Sequence, residues 1–341
     1  VTLLYLSSPV TVNWGITARC NFVCSHCFSR LDRAPELSPA DARRVVDVLS
    51  DHGVLFLNYG TGEPLLREDL FPLTEYAVSK GLKVSMNTNG SLLDGAVAER
   101  IRDAGFHGVG VSIDSADPSV HDSFRRFPGS FDRAVAAARR LKAAGVPLSI
   151  SSVVCKVNHR SFRDLVALAR DLGAHTIDLH NFKCSGMGGL NKERLDLSPE
   201  EWRDFYAEAV PLREATKDID IAFDDPILSL LGAEDREKLV AGSVCGKLSL
   251  YVRPNGEITP CGFIPVVVGH ILRDDFEAVW HGSEVLAALR NKQASGKCRG
   301  CSKYASCLGG CTARAYAVHG SYEAPDPHCW AEGEGDGGGK G

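Results

Sequence analysis

No run of this chain approaches the eighteen or so consecutive apolar residues of a membrane-spanning helix. The segment Val1 to Trp14 lacks a basic stretch followed by an apolar core. Neither a membrane anchor nor an export signal is therefore expected. Excess positive charge is missing too: 38 Lys and Arg stand against 43 Asp and Glu, a net charge of −5. That balance argues against a nucleic-acid partner, whose binding proteins carry a basic stripe. The only biased segment is the Gly/Glu-rich end, 331–341, expected to be a disordered tail. Otherwise the composition, 44% hydrophobic and 24% charged, is that of an ordinary globular chain. At 341 residues it is long enough for about two domains, and it needs no disulfides to fold.

Cysteine is the residue in excess, with twelve. Without an export signal the expected location is cytoplasmic, where disulfides are rare. Cysteines at short spacings in such a chain read as metal or cluster ligands. The isolated Cys155 and Cys184 read first as small buried hydrophobes.

From residue 10 to about 185, short apolar runs alternate with amphipathic stretches. The runs at 10–15, 54–59, 83–88, 108–113, 147–154 and 176–180 predict strands. Ser38-Pro-Ala-Asp41 predicts an N-cap and a helix through Leu49. Further helices are expected over 66–80, 94–104, 130–144 and 161–172. Each ends near a glycine (Gly53, Gly81, Gly105, Gly145, Gly173) suited to a left-handed C-cap. Six strand–helix repeats imply a parallel α/β sheet, open or curled into part of a barrel, with ligands at the carboxyl ends of its strands. Beyond Cys184 the rhythm breaks. Ser198 and Glu201 form a capping-box signature for one more helix. Residues 242–330 then hold seven cysteines and few periodic runs.

Cys20-x3-Cys24-x2-Cys27 follows the first predicted strand. Three thiolates can hold three irons of a [4Fe–4S] cube and leave the fourth open, whereas electron carriers usually supply four cysteines; a zinc loop is the other reading. With Phe28 beside it, this motif resembles that of the radical S-adenosylmethionine (SAM) superfamily. The resemblance extends over residues 10–185: Thr61-Gly62-Glu63-Pro64 stands where the family has Gly-Gly-Glu-Pro. Asn87-Thr88-Asn89-Gly90, Ser112-Ile113-Asp114-Ser115, His121-Asp122-x2-Arg125 and Gly129-Ser130-Phe131 follow in order. It implies that Cys20, Cys24 and Cys27 bind a cluster whose fourth iron is chelated by SAM. It also implies that Glu63 accepts from the SAM amino group, that Ser112 reaches the ribose and that Arg125 reaches the carboxylate. Thr61 departs from the usual glycine, a departure that matters if the position needs positive φ.

The C-terminal array reads Cys245-x10-Gly256-x4-Cys261, then Cys298-x2-Cys301-x5-Cys307-x3-Cys311-x17-Cys329. Seven ligands are too many for one zinc site and one short of two. The spacing resembles the SPASM extension of radical SAM enzymes. The resemblance implies two auxiliary clusters, the inner on Cys245, Cys261 and Cys311 and the outer on Cys298, Cys301, Cys307 and Cys329. The inner set lacks a fourth cysteine. Cys184 is a candidate lender, a candidate hydrogen donor to a substrate radical, or a packing thiol. Trp280 reads as packing, and Tyr251, Tyr304, Tyr316 and Tyr322 carry no assignment. The expected divisions are 10–190 for a partial (β/α)6 TIM-like barrel, 191–241 for a helical bridge, 242–330 for the SPASM domain and 331–341 for the tail.

The resemblance implies an enzyme that cleaves SAM reductively to a 5′-deoxyadenosyl radical, fed by flavodoxin or ferredoxin, and uses it on an unactivated C–H bond. The favoured substrate is a ribosomally made peptide, to be oxidised, crosslinked or epimerised. Because the chain begins almost at the first strand, a peptide is expected to bind directly or through a separate recognition protein. The alternatives are tetrapyrrole side-chain chemistry and dehydrogenation of a small sugar or aminocyclitol. An electron carrier is the non-enzymatic reading, disfavoured by the missing local fourth cysteine.

Overall fold

The structure, a computed structural model, describes residues 6–232 and 240–331. Strands β1 (Thr11–Gly15), β2 (Phe56–Gly60), β3 (Lys83–Thr88), β4 (Gly108–Ser112), β5 (Leu148–Val154), β6 (Thr176–Asn181) and β7 (Asp220–Phe223) pair in sequence order, every pair parallel. Between them run helices α1 (Pro39–Asp51), α2 (Leu70–Ser79), α3 (Gly95–Asp103), α4 (Pro118–Arg125), α5 (Ser130–Ala143) and α6 (Phe162–Asp171). Two one-turn helices, α7 (Met187–Leu190) and α8 (Lys192–Leu195), and then the long α9 (Pro199–Ala215), separate β6 from β7. Sequential order is the signature of a singly wound barrel wall rather than a doubly wound sheet. The wall stays open, because β1 takes β8 (Ser249–Val252) as its other neighbour. β9 (Glu257–Thr259) and β10 (Gly269–His270) extend the same sheet antiparallel.

Local chemistry explains the helices. Ser38 Oγ accepts from Asp41 N–H, and Pro39 opens α1, whose Ala42, Val45, Val46 and Leu49 form one buried stripe. Burying each such Val or Leu contributes about 1.5–3 kcal/mol. The capping box at α9 is formed in both directions, by Ser198 and Glu201. The five predicted C-cap glycines all have φ between 70° and 88°.

Two expectations are corrected, and two further features were not foreseen. The helix predicted from residue 66 starts at Leu70, because Arg67 is extended and its guanidinium bonds to Ile16 O, Leu37 O and Asp69. Helix α4, capped by Asp117 and opened by Pro118, was not foreseen. The segment 191–241 is not wholly helical, since it supplies the seventh parallel strand. The cysteine-rich region is not a separate layer, since β8 lies directly against β1. The tail expected at 331–341 lies outside the described residues except for Ala331. After the last strand, α10 (Phe276–Gly282), α11 (Glu284–Arg290), α12 (Tyr304–Cys307) and α13 (Thr312–His319) complete the chain. Trp280 on α10 is fully buried and its indole N–H donates to Leu6 O at 2.9 Å. Among the described residues no helix is long and apolar enough to cross a membrane.

Candidate cofactor and substrate site

Every loop that leaves the carboxyl end of a parallel strand contributes to one region. The loop after β1 carries Cys20, Cys24 and Cys27, with Cys27 close enough to raise the Cys20 and Cys24 thiols. Burial is the larger influence and pushes Cys24 up to about 12. Coordination by a metal is what makes a thiolate of such a thiol. Phe22 N–H donates to Cys20 Sγ at 3.4 Å, and the Cys27 Sγ and Ser29 Oγ atoms are 3.5 Å apart.

The loop after β2 folds directly onto this one. Glu63 N–H donates to Arg19 O at 2.8 Å. Gly62 has φ +67°, and a Cβ there would lie 2.4 Å from Arg19 O and 2.6 Å from Thr17 O, so no side chain fits. Glu63 is buried and accepts from Thr88 Oγ1 at 2.7 Å, Asn89 N–H at 2.8 Å and Leu65 N–H at 3.2 Å. A carboxylate has about four lone-pair sites, so one remains for an ammonium. Burial raises the Glu63 pKa and these donors offset part of that rise. Asn89 also donates to Asn21 Oδ1 at 2.9 Å, which ties the third strand's end to the cysteine loop.

Ser112 closes β4, half-buried, in register with Ser151. Arg125 on α4 is buried, with Nε donating to Asp114 Oδ2 at 2.6 Å and its guanidinium beside Cys24. Burial alone would push the Asp114 carboxyl up, but Arg125, His26 and His121 together outweigh it and the net direction is down. Asp114 N–H donates to His121 Nδ1 at 3.1 Å, and Val153 N–H donates to Asp114 Oδ1 at 2.9 Å. The expected Arg125 is therefore at the site, tied to Asp114 and the cysteine loop.

The sheet between the two cysteine regions presents a polar face. Asn58 Nδ2 donates to Asn13 Oδ1 at 3.1 Å and Ser85 Oγ to Asn58 Oδ1 at 3.2 Å. Strand alternation and register carry this face across Asn87, Ser112, Ser149, Ser151, Asp178 and His180. Near its far edge Lys183 Nζ lies 3.8 Å from Asp224 Oδ2 and 4.7 Å from the Phe263 ring centroid, and His180 Nδ1 lies 3.3 Å from Asp224 Oδ2. None of Asn13, Asn58, Asp178, His180, Lys183 and Asp224 was singled out from sequence. The signal was there: strands of a fully covered parallel sheet read as continuous apolar runs, whereas these alternate with Asn, Ser and Asp.

A hydrogen bond with Cys261 is the main influence holding Cys245 down to about 7, with Lys183 contributing to the same shift. Cys311, whose N–H donates to Asp326 Oδ2 at 2.7 Å, is close enough to raise Cys261. Cys298, Cys301, Cys307 and Cys329 line one void, walled also by Tyr304 and Lys297. That is the set that the resemblance assigns to the outer site. All twelve cysteines are free thiols.

Cys184 behaves differently. Its Sγ donates to Asp196 Oδ2 at 3.1 Å, and burial with the nearby carboxylate pushes it up to about 12. His328 Nε2 lies 2.7 Å from Asp196 Oδ1. The glycine-rich loop behind it is pinned rather than free: Met187 N–H donates to Cys27 O at 2.9 Å, and a Cβ on Gly186 would lie 2.2 Å from Phe28 O.

Sequence reasoning also missed a buried ion group. Arg314 donates to Asp225 Oδ1 and Oδ2 at 2.6 Å each and to Asp326 Oδ1 at 3.0 Å, and Tyr206 OH donates to Asp225 Oδ2 at 2.8 Å. It joins the end of β7 to the segment between Cys311 and Cys329.

Comparison with known proteins fits this layout. The family model of the radical SAM superfamily matches residues 14–169, and that of the SPASM iron–sulfur cluster-binding domain matches residues 245–302. The chain is 31% identical to an AdoMet-dependent heme synthase of Methanosarcina barkeri, over 95% of this chain and 97% of the relative. It is 32% identical to the mycofactocin maturase MftC of Mycolicibacterium smegmatis, over 95% of this chain and 83% of the relative. Among solved structures, Streptococcus suis SuiB bound to S-adenosylmethionine superposes with a TM-score of 0.80 at 19% identity, covering 96% of this chain and 79% of that one. The enzyme anSMEcpe with bound AdoMet gives 0.74 at 18%, covering 94% of each. The chain belongs to the radical SAM superfamily, as an enzyme with a C-terminal SPASM domain that uses SAM, a [4Fe–4S] cluster and auxiliary iron–sulfur clusters.

Proposed function

We propose that this enzyme modifies a ribosomally made peptide. The carrying observation is the polar sheet face that runs from the Cys20–Cys27 loop to the Cys245–Cys261 pair. It is lined mainly by neutral Asn and Ser, suited to hydrogen-bonding a backbone. Its charged edge sets Asp178 and Asp224 against Lys183 and His180, so it offers no cationic excess for a polycarboxylate. The relative MftC is a mycofactocin maturase, and the structural neighbour SuiB has been solved bound to precursor peptide SuiA. Similarity to heme synthases supports a second reading, tetrapyrrole side-chain chemistry.

In this reading Cys20, Cys24 and Cys27 hold the SAM-binding cluster. Cys245, Cys261 and Cys311 hold the inner auxiliary cluster, and Cys298, Cys301, Cys307 and Cys329 the outer one. When bound, cluster and SAM together supply a 5′-deoxyadenosyl radical that takes hydrogen from the substrate. The chain's own work is to aim and enclose. Glu63 offers its remaining lone pair to the SAM amino group, and Ser112 faces the ribose. Arg125, held by Asp114 and beside Cys24, would reach the SAM carboxylate. Cys184, kept protonated on Asp196, is retained as a candidate hydrogen donor. The electron donor would be flavodoxin or ferredoxin, approaching on the Cys20 side, where a cleft of about 520 Å³ is bordered by Arg19, Arg30 and Arg33 together with Asp32 and Glu36. The location is read as cytoplasmic, with the peptide bound directly or through a recognition protein.

The test is anaerobic incubation of the reconstituted enzyme with dithionite, SAM and either a short peptide encoded beside its gene or a carboxylate-bearing tetrapyrrole. The expected result is a mass change in the peptide with stoichiometric 5′-deoxyadenosine. Loss of carboxyl mass from the tetrapyrrole, with the peptide unchanged, would transfer the assignment to the second reading.

A further inference from the structure

Thr61 occupies the turn after β2 with φ +69°. Among the described residues only Thr61, Arg126 and Leu308 combine a side chain with positive φ, and Thr61 alone of these is β-branched. Branching at Cβ makes the left-handed region costly, and strain of this kind persists only where the surroundings hold it. What holds it comes from the other end of the chain. Thr61 Oγ1 and the Tyr251 hydroxyl are 2.6 Å apart, and Tyr251 lies on β8 of the cysteine-rich region.

The surroundings are built for this contact. Tyr251 is buried and stands in register with Asn13 on β1. Two residues on, a Cβ at Gly15 would lie 2.4 Å from the Tyr251 hydroxyl and 3.1 Å from Thr61 Cβ. The Tyr251 ring meets Phe28, the residue after Cys27, edge-on at 6.3 Å. Phe28 in turn packs on Phe263 at 4.4 Å, and a Cβ at Gly262 would lie 3.2 Å from Tyr251 Cδ2. One tyrosine thus touches the turn before Glu63, the loop of Cys27 and the loop of Cys261.

We propose that Tyr251 is a positioning residue for SAM: its hydroxyl holds the strained Thr61 turn in place, so that docking of the auxiliary-cluster region sets the affinity of the barrel for SAM. Glycine at position 61 would need no such support. Threonine makes the turn conditional on β8 being seated. The inference rests on the reading that the Thr61–Pro64 loop receives SAM.

The experiment measures SAM affinity by anaerobic equilibrium dialysis on reconstituted holoenzyme, with iron content as the check on cluster loading. Tyr251→Phe keeps the ring and removes the hydroxyl, and is expected to weaken SAM binding about three- to tenfold. Thr61→Val removes the same hydrogen bond from the other side, retains the branching, and should lose a similar factor. In a Thr61→Gly background the Tyr251→Phe change should matter less than about twofold, because no strain remains to be held. Unchanged SAM affinity in both Tyr251→Phe and Thr61→Val would overturn the proposal, as would an equal loss from Tyr251→Phe in the Thr61→Gly background. Glu63→Ala separates the underlying reading: undiminished SAM binding there would remove the loop from the SAM site, and the proposal with it.

Discussion

The two cysteine regions are held in different ways. The Cys20–Cys27 loop hangs from the end of β1, a strand whose Val12 and Trp14 are fully buried in the main core. The second array is divided: Cys245 and Cys261 flank β8 and β9 of the same sheet, whose Leu250, Val252 and Ile258 belong to the main core, whereas Cys298 to Cys329 stand on short helices and turns, beside the small buried cluster of Ile264, Cys311 and Ala313 and a buried charge group. Arg314, Asp225 and Asp326 have no exposed side-chain surface at Arg314 and its two partners. The first site and the Cys245–Cys261 pair borrow the stability of a sheet, while the Cys298–Cys329 segment is organised by charge and by whatever its cysteines bind. A small region with a poor core needs such a centre.

The sharpest way to break this comparison is at Arg314. Arg314→Met would remove the charge that Arg314 sets against buried Asp225 and Asp326, a loss of about 3–5 kcal/mol. The iron of the C-terminal sites should fall, while the SAM-induced change in the N-terminal cluster's spectrum persists. Equal loss of iron from both regions would erase the distinction.

A smaller effect sharpens the other side. His121 is buried against Asp114 and Arg125, and burial holds its pKa down to about 4. The unfolded histidine takes up a proton near pH 6.5, so the unfolded chain binds more protons and stability falls as pH drops from 6.5 toward 4. The expected loss is about 1.4 kcal/mol per pH unit, or about 2 kcal/mol at pH 5. His121→Asn can still accept the Asp114 N–H and should flatten this slope in denaturant titrations relative to the parent. A parallel slope in the variant would show that His121 is not the sensor.

The same contrast explains what could be read from sequence. β3 is found at the predicted residues 83–88, and the caps at Ser38 and Ser198 form as expected, because caps and period are local. The cysteine sets stand out in the sequence because their spacings are short, and the structure gathers Cys298, Cys301, Cys307 and Cys329 around one void. What escaped was non-local. Nothing near Ser249 announces that β8 pairs with β1. Nothing near Arg314 announces an acid 89 residues away. The 4-residue β7 was too short to read within a segment dominated by α9. The concern over Thr61 was justified, since its φ is positive, but the partner that supports it is 190 residues distant.

The claim that joins these parts is that one cysteine loop meets SAM while the other seven cysteines serve separate clusters. Replacing Cys20, Cys24 and Cys27 together by Ala tests it most directly, with iron and 5′-deoxyadenosine measured anaerobically on the same preparation. The parent should carry about twelve irons if each cluster is a complete cube. The triple variant should keep about eight, all in the C-terminal array, and form no 5′-deoxyadenosine. Undiminished 5′-deoxyadenosine in the variant, or a fully loaded parent with only about four irons, would contradict the account.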